Sequence, residues 1–209
     1  MALSLLPDSH ILFIGDSITD CGRSEKPNSL GNGYVARTAA ELRQLYPKMR
    51  ITNRGVGGNT SIDLVARWKE DCLDLKPSIV SILIGINDTW RRYDHNIITE
   101  ITAFEQNYRA ILDRTVVGPD AELVLCEPFL LPLTDDQKLW HFDLDPKRRL
   151  VRGLADEYGA VFVALQEAFL QAAATGSAAD LVSDGVHPTD AGHALIAQTW
   201  LKAVGGERG

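Results

Sequence analysis

A chain of 209 residues, 45% hydrophobic and 23% charged, has the length and make-up of a soluble globular domain with a substantial core. Its 28 acidic residues against 21 basic ones leave a net charge of −7, which repels phosphate backbones and anionic lipid and excludes an electrostatic binder of nucleic acid or membrane surfaces. Three widely spaced cysteines, Cys21, Cys72 and Cys126, with no C-x-x-C, point to neither a disulfide framework nor a zinc cage.

No basic stretch precedes an apolar run near the N-terminus, and Pro7-Asp8-Ser9 interrupts what apolarity there is, so no secretory signal or bilayer span is expected. The reading is one domain over 1–209, in the cytoplasm. Ile11-Leu12-Phe13-Ile14, ending at Gly15, reads as a strand buried on both faces of a parallel sheet. Gly15-Asp16-Ser17 follows at once, so Ser17 belongs on the strand-to-helix turn at the carboxyl edge of the sheet. That position suits a nucleophile, but G-D-S alone suits a helix cap equally well. Val35, Ala39, Leu42 and Leu45 then share a helix face that stops before Pro47, and Arg50 to Asn53 is a weaker strand.

The glycine-rich run Asn53 to Thr60 comes next. It fails the dinucleotide fingerprint because Thr60 stands where the third glycine belongs, and it lacks the G-K-[ST] ending of a phosphate loop. A helix with Ile62, Val65, Trp68 and Cys72 on one side, capped by Thr60 or Ser61, follows it. Ser78 to Ile84 is a strand leading into Gly85-Ile86-Asn87-Asp88. Ile97, Ile101, Phe104, Tyr108 and Ile111 repeat at helical spacing, and Glu122 to Cys126 is a fourth strong strand.

Pro128 to Asp145 reads as the longest structureless segment, with Trp140, His141 and Phe142 either walling a pocket or packing on the body or on a second subunit. The clusters Arg91-Arg92 and Lys147-Arg148-Arg149 read as solvated faces or interface contacts. Ala160 to Val163 is a last strand. Near the C-terminus, Asp184-Gly185-Val186-His187-Pro188 places His187 on an extended segment ahead of a final helix, because proline disfavours helix in the residue before it.

Strands alternating with helices imply right-handed crossovers: an α/β fold, a three-layer α/β/α sandwich with a central, mainly five-stranded parallel sheet of the flavodoxin-like kind. A carboxylate on one nitrogen of His187 leaves the other free to take a proton from a serine hydroxyl, so Ser17, Asp184 and His187 are the candidate catalytic set. The amides of Ser17 and Gly58 and the side chain of Asn87 are the candidate oxyanion donors. His10, His95 and His193 have no acid placed comparably, and a metal site built from Asp16, Asp184 and His187 lacks a fourth ligand, so no metal or other cofactor is expected.

In order, G-D-S-I-T-D, G-V-G-G-N-T, G-I-N-D and D-G-V-H-P resemble the four sequence blocks of the SGNH (GDSL) hydrolases. The resemblance spans nearly the whole chain and implies an esterase with nucleophile Ser17, oxyanion donors Gly58 and Asn87, and acid and base Asp184 and His187. The longer stretches F-I-G-D-S-I-T-D-C-G-R, L-G-N-G-Y-V and I-G-I-N-D-T-W-R-R-Y-D resemble intracellular bacterial acetyl xylan esterases, implying a small acetylated carbohydrate as substrate and Asp16, Trp90 and Tyr93 as substrate contacts. Two stretches depart from that pattern: Asp180 to Ser183, which lacks an aromatic before Asp184, and Pro128 to Asp145. A long-chain lysophospholipase or thioesterase, a general acetylesterase and a non-catalytic ligand-binding protein are the competing readings. An exposed aromatic loop around Trp140 would favour a homo-oligomer.

Overall fold

The computed structural model describes residues 3, 5–26 and 28–205. Its sheet consists of five parallel strands, β1 (His10–Gly15), β2 (Arg50–Gly55), β3 (Ile79–Leu83), β4 (Glu122–Cys126) and β5 (Val161–Val163), in the order β2-β1-β3-β4-β5. Between them run α1 (Ser17–Asp20), α2 (Tyr34–Leu45), α3 (Ser61–Asp71), α4 (Ile86–Asp94), α5 (Ile101–Val117), α6 (Asp135–Leu139) and α7 (His141–Glu157). After β5 come α8 (Leu165–Ala174), α9 (Ala178–Leu181) and α10 (Asp190–Gly205).

The side-chain alternation of the strands divides the core into two layers. Ile11, Phe13, Ile79, Val124 and Cys126 face α2, α8 and α10, where Tyr34, Leu42, Phe169 and Trp200 are buried. Leu12, Ile14, Val80, Ile82, Leu123 and Leu125 face α3, α5 and α7 through Trp68, Phe104, Tyr108, Ile111 and Leu154. Because both faces are covered, the central strands are apolar at nearly every position, and this is why they read as continuous runs. The two completely buried indoles keep their N–H groups satisfied: Trp68 donates to Thr115 Oγ1 at 3.1 Å and Trp200 to Ser81 Oγ at 2.9 Å.

Gly15 pairs with Gly55 on one side and with Leu83 on the other, and Leu83 with Cys126, so the strands end at one level. The loops that follow β1, β2 and β3 therefore meet at the carboxyl edge, where the strand order reverses and such sheets bind ligands.

Several expectations change. Leu45, Ile62 and Ile97 do not join the core; they are 58%, 56% and 57% exposed, and α5 starts only at Ile101. Helix α3 keeps Trp68 and, at its C-cap, Cys72 of the anticipated face in the core, with Val65 partly buried, and adds Ser61 and Leu64 in place of Ile62. Pro128 to Asp145 is not structureless. Thr134 accepts from Gln137 N to start α6, and α7 begins at His141, its helical signal hidden in the sequence by Pro146, which has no N–H to give the preceding turn. Lys147 is no solvated residue either: it is 1% exposed, with Nζ bonded to the Asp143 carboxylate and at 3.3 Å from Thr89 Oγ1, while Arg148 pairs with Glu127 at 3.0 Å and Asp145 at 2.9 Å. Arg92 joins the same network through Asp143 at 2.8 Å. No helix of the described residues is long and apolar enough to cross a membrane.

Candidate active site

Asp16 is the N-cap of α1. Its backbone is extended and its Oδ1 accepts from Ile18 N at 3.0 Å. Ser17, the first helical residue, has no helical carbonyl four residues back, so its N–H is not used within the helix. Its Oγ lies 2.9 Å from His187 Nε2, and His187 Nδ1 lies 2.6 Å from Asp184 Oδ2. The other carboxylate oxygen accepts from Val186 N at 3.0 Å and His187 N at 2.7 Å. Asp184 and His187 are thus held in one tight turn, with Gly185 at φ 90° where a Cβ would strike Gln137 at 2.5 Å.

Burial alone would raise the Asp184 carboxyl, but the bonds from the His187 ring and from the His187 and Val186 amides outweigh it and hold it below its ordinary value. It therefore stays ionised at neutral pH and orders the imidazole with Nε2 free toward Ser17. Such a chain of bonds can move the serine proton to the ring as the oxygen attacks a carbonyl.

The loop after β2 lies against the serine: a Cβ on Gly57 would be 3.9 Å from Ser17 Cβ. Gly58 takes φ 79°, a backbone conformation that side chains disfavour. Asn87, at the start of α4, is buried and gives one amide hydrogen to Asn59 O at 3.0 Å, leaving the second to project elsewhere. Its position is fixed from the next residue, because Asp88 accepts from Ser61 N at 2.9 Å and Ser61 Oγ at 2.6 Å at the head of α3. Replacing Asn87 with alanine is expected to lower kcat for an aryl acetate by about 10²- to 10³-fold with little change in KM, the loss typical of one oxyanion donor; a change of twofold or less would remove Asn87 from that role.

Of the three expected substrate contacts, Trp90 lies beside His187, Tyr93 stands one ring further out on Trp140, and Asp16 adjoins Ser17 but is fully buried. The Trp90 ring is 5.7 Å from that of His187 and 5.5 Å from Trp140, and Tyr93 stacks on Trp140 at 5.1 Å. Trp140 is buried as the backing of this aromatic wall, whereas Phe142 is 82% exposed. Asp16 is completely buried, so it cannot touch a substrate, and its Oδ2 has no hydrogen-bond partner among the described residues. Burial pushes its carboxyl up to about 7, partly offset by the Ile18 amide and the His187 ring.

This has a consequence for stability. Between about pH 4 and pH 7 the folded chain retains a proton on Asp16 that the unfolded chain releases, so raising the pH through that window destabilises the fold. Asn at this position still accepts from Ile18 N without titrating. Asp16→Asn is expected to gain on the parent by a few kcal/mol between about pH 5 and pH 8, at about 1.4 kcal/mol for each tenfold change in the ionisation constant. Urea unfolding of both proteins at the two pH values measures it, and a constant difference would contradict a buried, neutral Asp16.

Two positioning groups had no signal in the sequence. Gln137 Nε2 donates to Asp184 O at 2.6 Å while its Oε1 accepts from Leu133 N at 2.8 Å, which ties α6 to the Asp184–His187 turn. Leu131 N reaches Gly185 O at 3.0 Å in the same sense. The four remaining histidines have structural partners or solvent: His193 Nδ1 accepts from Tyr34 N at 3.2 Å, His10 Nε2 meets Thr52 Oγ1 at 2.9 Å, His141 Nδ1 lies 3.1 Å from Asp145 Oδ1, and His95 is exposed. Among the described residues no group of three or more His, Cys, Asp or Glu is placed to hold a metal ion.

The model of the GDSL-like Lipase/Acylhydrolase family matches residues 13–195. The chain is 39% identical over 207 residues, 94% of each protein, to an acetylxylan esterase of Geobacillus stearothermophilus. Its fold superposes with TM-score 0.92 on a GDSL-like protein of Parabacteroides merdae, 37% identical and covered over 98% and 99% of the two chains. With TM-score 0.86 and 37% identity over 95% of each chain, it superposes on a catalytic mutant of the Geobacillus stearothermophilus acetylxylan esterase Axe2, in which an aspartate is replaced by alanine.

Proposed function

From the premise that the chain belongs to the GDSL-like lipase/acylhydrolase family and is a carboxylic ester hydrolase, we propose that it removes acetyl groups from xylo-oligosaccharides or related carbohydrates through an acyl-enzyme on Ser17. His187 takes the Ser17 proton, Ser17 Oγ attacks the acetyl carbonyl, and the oxyanion settles among the Ser17 and Gly58 amides and the Asn87 side chain. The protonated ring returns its proton to the departing sugar oxygen. It then deprotonates the water that releases acetate, and Asp184 keeps its orientation throughout.

The single observation that carries this reading is the unbroken run of short contacts Ser17 Oγ to His187 Nε2 and His187 Nδ1 to Asp184 Oδ2, 2.9 and 2.6 Å. The half-exposed Trp90 face beside His187 suits a sugar ring, and the acetylxylan substrate named for the Geobacillus relative supports the same class.

Acetate release from acetylated xylo-oligosaccharides, beside 4-nitrophenyl esters from acetate to octanoate, tests it. Turnover of the sugar with a steep fall in aryl ester rates beyond propionate is expected. Faster octanoate than acetate hydrolysis would favour a long-chain acylhydrolase, and activity confined to aryl esters would discard the carbohydrate assignment.

A further inference from the structure

One side chain remote from Ser17 in sequence grips two of the three segments from which the proposed oxyanion donors come, and reaches the third through Asn59. Arg67 sits midway along α3 with its guanidinium mostly shielded from solvent, 16% exposed. Its Nε donates to Asn59 Oδ1 at 2.7 Å, its Nη1 to Arg54 O at 2.8 Å, and its Nη2 to Gly15 O at 3.0 Å. Gly15 ends β1 two residues before Ser17, Arg54 lies near the end of β2 ahead of Gly58, and Asn59 follows Gly58 and holds Asn87 Nδ2 through its own carbonyl.

Three oxygen acceptors, each carrying partial negative charge, converge here from the end of β1 and from β2 with its following loop, and without a cation between them they would repel. A planar guanidinium with five donors in a rigid fork can satisfy all three at once; an ammonium, a single point with a flexible stem, cannot span them. Asp71 bonds the same Nη1 at 2.8 Å and balances the charge, so what Arg67 supplies to the site is geometry more than field.

We propose that Arg67 is a positioning residue that sets the spacing of the Ser17, Gly58 and Asn87 donors by clamping Gly15, Arg54 and Asn59. The inference rests on the acyl-enzyme reading. It assigns Arg67 no contact with substrate: displacing donors by about an ångström is enough to cost two orders of magnitude in rate.

Initial-rate kinetics with 4-nitrophenyl acetate on the full chain test it. Arg67→Met, which keeps length and loses every donor, is expected to lower kcat about 10²-fold with KM within about threefold, and Arg67→Lys is expected to restore less than about a tenth of the parental kcat. Combined with Asn87→Ala, the double variant should be close to the worse single variant, because both losses fall on the same cradle; a merely structural loss multiplies. Should the Arg67 variants not fold, Asn59→Ala removes one acceptor while leaving the arginine and Asp71, and is expected to lose about tenfold in kcat with the same coupling to Asn87→Ala. Multiplicative losses, losses carried by KM, or parental kcat in Arg67→Lys would overturn the proposal. Parental activity in Ser17→Ala would instead overturn the reading beneath it, so the two failures are told apart.

Discussion

Replacing Ser17 with alanine is expected to lower kcat for 4-nitrophenyl acetate by about 10⁵- to 10⁶-fold while leaving the fold intact. The magnitude follows from the roles being interdependent. Without Oγ no acyl-enzyme forms, and the remaining cradle and bound imidazole accelerate only direct attack by water, an acceleration on the order of 10³ to 10⁴ over the uncatalysed reaction. The fold should hardly notice. Ser17 Oγ is in a half-exposed position and its 2.9 Å contact to His187 is a single hydrogen bond, whose net contribution to stability is about 0.5 to 1.5 kcal/mol. Steady-state rates, thermal melting and mass spectrometry of acid-quenched enzyme together decide it: the parent should carry an acetyl group on the Ser17 peptide and the variant none. Undiminished turnover in a folded Ser17→Ala protein would end the assignment of the nucleophile.

Asp184→Asn should be the second most damaging change, lowering kcat by about 10⁴-fold. One oxygen of Asp184 takes the Val186 and His187 amides, and asparagine can keep those bonds with its carbonyl, so the turn should survive. The other position would then present an amide N–H toward His187 Nδ1 instead of an acceptor at 2.6 Å. The ring answers by placing its own proton on Nε2, the nitrogen that faces Ser17, and can no longer accept the serine proton. The Asp184 side chain is 43% exposed, so solvent screens its charge and orientation of the ring is its main contribution. A loss under tenfold in kcat would show that His187 keeps its tautomer by other means. Nitrogen-15 chemical shifts of the His187 ring would report which nitrogen carries the proton in each protein.

Most of the scaffold and the candidate reactive groups are legible in the sequence. Ile11 to Ile14, Ser78 to Ile84 and Glu122 to Cys126 read as buried strands because a sheet covered on both faces demands apolar residues at consecutive positions, and all three are strands within a residue or two of the expected bounds. Local constraint likewise made His187 readable. Proline at 188 keeps the preceding segment extended, although α10 starts only at Asp190 and Pro188 pairs with Val182 as an isolated antiparallel bridge. Resemblance to four ordered blocks selected Ser17, Gly58, Asn87, Asp184 and His187, residues that the fold gathers at one edge of the sheet.

What misled was distance in the chain. Asp16 beside a candidate nucleophile reads as a substrate contact, yet whether its side chain faces solvent depends on α1 and the strand ends closing over it. Lys147 stands in a run of three cations that looks solvated; forming α7 sets Asp143 one turn before its ammonium, and only the docking of α7 on α4 brings Thr89 to it and buries it. Gln137 and Arg67 carry no local signature at all. Their partners lie 47 and up to 52 residues away, at Asp184 and Gly15.

By itself, then, the sequence determined which segments become strands, which of them end in glycine-bearing turns, and which side chains are chemically able to attack, accept a proton or orient a base. Those properties are local, set by apolar periodicity, turn conformation and the chemistry of single residues. Tertiary structure alone decided which acid is buried, which cation is paired and which donor bridges separate loops. Burial and hydrogen-bond satisfaction depend on what other parts of the chain bring into contact, and that is written in no single stretch of it.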